Sequence, residues 1–316
     1  MELKEKELKL LAYLYHHNRE PITRIAKATK LTRIQVEHSL KKFLKEGIIE
    51  KFFTMFDYSA FGYNVYALAF IKLERFSSIE KFTKKLEASK HCISWGECFG
   101  KYDILTNLIF KSEEEMSNFL SETINEPVAD YVIIKPYIAE FHPLKIFHEK
   151  EQPIFPLLST SLKERKFSES EKKIMKILQH DGRAKLTDIA KQVNISAEMV
   201  LHIIKKLQKE KVILGMRTGI RMKKLGYNYS MIVLNIKNFS KELKDKITEH
   251  ARKEKRANAL VLSLFNPNCT IQFFHKTEDE LKEEVKKLKE LLKDELFDLD
   301  VVLLQEENEV NTLPFL

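Results

Sequence analysis

Cysteine is almost absent from this chain. Cys92, Cys98 and Cys269 are its only three, at no metal-ligand spacing, so a zinc-stapled or disulfide-framed architecture is excluded and reduced thiols are expected. Long apolar runs are missing as well. The longest stretch of strong hydrophobes, around Val65–Ile71, is strand-sized and far short of the roughly 18 residues a membrane span needs. The opening Met1-Glu2-Leu3-Lys4-Glu5 has no apolar core, so no signal peptide is expected and a cytoplasmic protein is the reading. No Ser/His/Asp set, Walker loop, glycine-rich dinucleotide turn or metal-ligand cluster stands out, and no cofactor or metal is expected.

What is present is a long internal repeat. Residues 6–64 lie over residues 170–228 without a gap, 164 positions apart, and about twenty of the fifty-nine pairs are identical. They include Thr23/Thr187, Ile25-Ala26-Lys27/Ile189-Ala190-Lys191, Lys41-Lys42/Lys205-Lys206 and Lys45-Glu46/Lys209-Glu210. Solenoid repeats run about 20–50 residues, so a period this long is a duplicated domain.

Charge follows the repeat. The formal net charge is +8, but residues 1–56 carry +5 and residues 161–225 carry +10, while 57–150 and 226–316 carry −3 each. Solvated helix faces alone would not segregate charge twice in this way; a footprint for a polyanion would.

Within each basic segment the apolar spacing predicts three helices. Leu10, Leu11 and Leu14 (Ile174 and Leu178 in the second copy) mark the first, and Thr23–Thr29 or Thr187–Val193 the second. Thr32 and Ser196 are N-cap residues for the third, whose Val36, Leu40 and Phe43 (Val200, Ile204 and Leu207) face a core. The opposite face is basic. Two helices joined by a short turn, the last one basic, form a helix-turn-helix whose final helix can enter a major groove. The candidate DNA-binding residues are Thr32, Arg33, Gln35, His38, Lys41, Lys42 and Lys45 in the first copy. In the second they are Ser196, His202, Lys205, Lys206 and Lys209, with Arg217 and Arg221 from the following segment as phosphate donors. Ile48–Thr54 and Val212–Thr218 read as a short β-hairpin or wing in each copy.

After Gly62-Tyr63-Asn64 the pattern becomes β-α-β-β-α-β, with strands over 65–73, 92–98, 103–110 and 131–140 and helices over 78–88 and 113–123. It recurs with strands over 230–236, 259–264, 270–275 and 297–304 and helices over 241–253 and 278–292. The expected fold class is α+β, two copies of a winged helix-turn-helix followed by a ferredoxin-like βαββαβ domain. The boundaries are 1–60, 61–148, a linker at 149–168, 169–224 and 225–316. The bare sheet faces need covering, most simply by each other, so one chain should form an intramolecular pseudo-dimer, with association of whole chains open.

Arg183–Lys191, Phe61-Gly62-Tyr63, Leu225-Gly226-Tyr227 and Gly100–Leu105 together resemble the Lrp/AsnC transcriptional regulators, once per half and in the manner of the tandem archaeal members. The resemblance implies double-stranded DNA as partner, pairing through the ferredoxin-like sheets, and an amino acid or other small effector. It places effector contacts at Gly100, Tyr102 and Asp103, where Asp103 would accept from an ammonium group; a plain hairpin turn is the alternative. The second half has Asn266-Pro267-Asn268-Cys269 there, so effector control should be one-sided. Two other classes compete: an enzyme similar to the siroheme decarboxylases, and a ligand or protein-interaction module without DNA binding.

Overall fold

The computed structural model describes residues 3–124, 128–147, 154–156, 164–309 and 313–316. Most of the expected linker 149–168 lies outside the described residues. The chain opens with α1 (Glu5–His17), α2 (Ile22–Thr29) and α3 (Arg33–Lys45), followed by β1 (Ile49–Phe56). Then come β2 (Val65–Leu73), α4 (Ile79–Glu87), β3 (Cys92–Phe99), β4 (Ile104–Phe110), α5 (Glu113–Ile124), β5 (Val128–Ile134), β6 (Pro136–Phe141) and β7 (Phe155–Pro156). The order repeats as α6 (Glu169–His180), α7 (Leu186–Val193), α8 (Ala197–Lys209), β8 (Ile213–Ile220), β9 (Asn228–Ile236), α9 (Lys241–Lys253), β10 (Ala257–Ser263), β11 (Cys269–His275), α10 (Glu278–Leu292) and β12 (Leu296–Glu309).

Local chemistry sets the helix ends. Thr32 Oγ1 accepts from the Gln35 amide while Gln35 Oε1 accepts from the Thr32 amide, a reciprocal box that starts α3. Ser196 Oγ accepts from the Met199 amide at the start of α8. The preceding helices both end in a left-handed residue, Lys30 after α2 and Asn194 after α7, which turns the chain sharply into the next helix.

Ten strands form one antiparallel system in the order β5-β2-β4-β3-β12-β9-β11-β10-β6-β7. It is two four-stranded βαββαβ sheets joined twice. Residues 296–304 of β12 pair with β9, and residues 303–309 pair with β3 of the other half. The first half reciprocates: β5 pairs with β2, and β6, only one residue further on, pairs with β10. Alternation does the rest. Leu68, Phe70 and Leu105 point inward against Met231, Val233 and Val261 of the other sheet. The opposite faces lie under helices, with Ala67, Ala69 and Ile71 beneath Phe82 and Leu86, and Ile232 and Leu260 beneath Ile247 and Leu288. The sheets therefore cover each other within one chain.

The segments expected to be separate wings behave differently. β1 and β8 are single strands that pair with each other in a two-stranded antiparallel ribbon. Among the described residues neither has a hairpin partner within its own copy, so each satisfies its backbone groups on the other copy. The three-helix units also cross over. The α1–α3 core contains Met222, Leu225 and Phe274 of the second half, and the α6–α8 core contains Phe56, Phe61, Tyr63, Ile93 and Ile109 of the first.

Candidate nucleic-acid interface

The core-facing stripe of α3 (Val36, Leu40, Phe43) is buried, as is that of α8 (Val200, Ile204, Leu207), which fixes the opposite faces outward. On α3 the outward face holds Arg33, Gln35, His38, Lys41 and Lys45, all exposed, with Thr32 at its cap. On α8 it holds His202, Lys205 and Lys209, also exposed, with Ser196 at its cap. Three of these positions carry the same residue in both copies: His38/His202, Lys41/Lys205 and Lys45/Lys209. Exposed apolar side chains lie among them. Ile34 is 78% exposed and Met199 49%.

Two of the matched lysines do other work. Lys42 Nζ sits 2.7 Å from Glu7 Oε1, and Lys206 Nζ sits 3.3 Å from Glu171 Oε1, so each bonds the third helix to the first. The Glu7 hydrogen bond is the main reason the Lys42 ammonium is held above its ordinary value. Burial alone would raise the Glu171 carboxyl, but the Ser168 amide, Arg165 and Lys206 outweigh it and bring the group down to about 2. The identity of these lysines across the repeat reflects a helix-helix bond, a role that spacing along one helix does not disclose.

Arg217 and Arg221, expected as phosphate donors, both have partners within the protein. The Arg217 guanidinium lies 3.6 Å from the Phe141 ring centroid and 4.7 Å from that of Tyr15, and donates to the Tyr15 hydroxyl. It points under the ribbon. Arg221 pairs with Glu50 across the ribbon at 3.0 Å. The pairing of β8 with β1 turns Arg217 inward, while Arg221 and Glu50 form their pair at the exposed edge of the ribbon.

The expected effector turn is likewise committed. One Asp103 oxygen accepts from Lys72 Nζ at 2.9 Å and the other from the Leu73 amide at 2.8 Å, so both serve the strand beside them. Tyr102 is buried between the two sheets, and Gly100 turns the chain at φ +115° in open space. Lys101 reaches Asp300 of the other half at 3.4 Å. The turn between β3 and β4 acts as a structural joint, and both Asp103 oxygens already hold donors of the protein itself. Sequence reasoning missed a cavity under the β1–β8 ribbon, because its walls come from both copies.

This is the geometry of a helix-turn-helix protein, its expected wings merged into one ribbon, carried on a paired ferredoxin-like body. A family model for winged helix-turn-helix DNA-binding domains matches residues 167–213. The HTH-type transcriptional regulator FL11 of Pyrococcus horikoshii is 26% identical over 118 residues, 37% of this chain and 78% of its own length. An uncharacterized HTH-type transcriptional regulator of Pyrococcus abyssi is 33% identical over 123 residues, 39% of this chain and 83% of its own length. The chain belongs to this family of HTH-type transcriptional regulators. Among solved structures, the siroheme decarboxylase NirDL covers 96% of this chain and 91% of its own, with a TM-score of 0.63 and 15% identity, a likeness of fold.

Proposed function

We propose that the chain is a sequence-specific DNA-binding transcriptional regulator. In this reading two winged helix-turn-helix units, 1–60 and 169–224, present α3 and α8 to duplex DNA. Two ferredoxin-like units, 61–148 and 225–316, joined through 149–168, hold them in one pseudo-dimeric chain in the cytoplasm. The observation that carries it is the pair of exposed basic faces with His38/His202, Lys41/Lys205 and Lys45/Lys209 at matched positions. Related by the repeat, two such helices suit an imperfect palindrome.

The test is duplex binding as a function of salt. Releasing counterions makes affinity fall with a log-log slope of about −0.9 per phosphate neutralised. The double variants Lys41→Ala/Lys45→Ala and Lys205→Ala/Lys209→Ala should each weaken binding and flatten that slope. Unchanged slopes in both would remove the proposal. Absence of duplex binding, with an absorbance change on adding siroheme, would replace it with the enzyme reading that the shared fold admits.

A further inference from the structure

The cavity under the β1–β8 ribbon has an internal volume of about 180 Å³ and opens to solvent. Its walls carry nine aromatic side chains and four Lys or Arg, against a single carboxylate, Glu50, which Arg221 already holds. Such a concave space, with polar and charged groups set among rings, is the usual form of a small-molecule site.

Arg217 lines it on a built support. It donates to the Tyr15 hydroxyl, Tyr15 donates to Asn258 Oδ1 at 3.0 Å, and Asn258 Nδ2 donates to Gln272 Oε1 at 3.1 Å. This relay, together with the Phe141 and Tyr15 rings, fixes the plane of the guanidinium. Yet among the described residues no carboxylate pairs with it. A guanidinium has five donors, and a half-buried one without a counter-ion is costly to maintain. The cation is therefore oriented for an anion that the protein does not supply. Nor is the site doubled: the repeat replaces Arg217 with Phe53 and Tyr15 with Gln179 on the other side.

We propose that this cavity binds one small molecule per chain that joins a planar apolar body to a carboxylate, the carboxylate on Arg217 and the body among the rings. The ribbon that roofs the cavity carries both three-helix units, so a ligand that prefers one ribbon geometry also shifts their spacing. That second step rests on the DNA reading, whereas the binding step is measured without DNA.

The probe is 8-anilinonaphthalene-1-sulfonate, an aromatic anion, titrated by fluorescence into the full chain. One saturable site per chain is expected, displaced by 2-naphthoate but not by its uncharged amide or by inorganic phosphate. Arg217→Gln should lower affinity by about tenfold or more, as loss of a charge-assisted pair does, and Arg217→Lys should recover part of it. If Arg217→Gln does not fold, Phe141→Leu takes its place and should also weaken the probe. Affinity in the folded Arg217→Gln variant within about twofold of the parent, equal displacement by the amide, or displacement by phosphate alone would each overturn the proposal. If binding is as described while duplex affinity does not respond, only the coupling step falls.

Discussion

The hydroxyl of Thr54 donates to the carbonyl oxygen of Leu178 at 2.9 Å, and 164 residues on Thr218 repeats the bond to Leu14 at 2.6 Å. Each joins a ribbon strand of one copy to the first helix of the other. Backbone bonds obey the same symmetry, the Asp57 amide to Val212 O and the Arg221 amide to Ile48 O, both at 2.9 Å. The repeat in sequence is thus a pseudo-two-fold axis in space.

Both threonine hydroxyls are fully buried, so Thr54→Val and Thr218→Val leave a carbonyl without its side-chain partner in nearly unchanged volume. Each should cost about 1–3 kcal/mol in urea denaturation. A loss below about 0.5 kcal/mol in both, the range of ordinary surface substitutions, would show that these crossing bonds do not hold the halves together.

Lys41 and Lys42 are neighbours with different tasks. Lys41→Ala should weaken duplex binding and leave stability nearly unchanged. Lys42→Ala should lower stability by releasing Glu7, and leave the salt slope where it was. The reverse pattern, in paired binding and melting measurements, would mean that the ion pair opens on DNA.

The depressed Glu171 carboxyl makes stability depend on acid. Its folded value of about 2 lies below the ordinary 4.5, so its contribution is complete above about pH 4.5 and is lost as pH falls toward 2. Comparing unfolding free energies at pH 6 and pH 3, the parent should lose on the order of 1–2 kcal/mol more than Glu171→Gln. Equal losses would show that Arg165 and Lys206 do not stabilise the charged form.

Asp103→Ala tests the joint at the β3–β4 turn. Removing both acceptors leaves the Leu73 amide unpaired, and the variant should unfold about 1–3 kcal/mol more easily. Its affinity for the naphthalene sulfonate probe should be unchanged, since Asp103 does not line the ribbon cavity. A loss of probe binding without loss of stability would return the turn to the role of an effector site.

Local elements were legible in the sequence because their causes are local. The caps at Thr32 and Ser196, the buried stripe Val36–Leu40–Phe43 and the βαββαβ order all follow from spacing within a dozen residues, and the structure keeps them. The assignments that changed depend on partners far along the chain. Lys42 meets a residue 35 positions away, Asp103 one 31 away, and Arg217 one 202 away. A wing and a ribbon strand have the same alternation, so periodicity cannot say that β1 pairs with β8. Amphipathic lysines likewise look alike whether they face water or a glutamate on the next helix.

In the β1–β8 register Phe53 stands opposite Arg217, and these two are each other's equivalents in the repeat. The axis passes between them. In a dimer of identical chains a residue at that spot must meet its own copy, and an arginine there would face an arginine. Joining the copies in one chain lifts that restriction on the axis. Arginine can then stand against an aromatic ring, and a binding cavity straddling the axis can be polar on one side and apolar on the other.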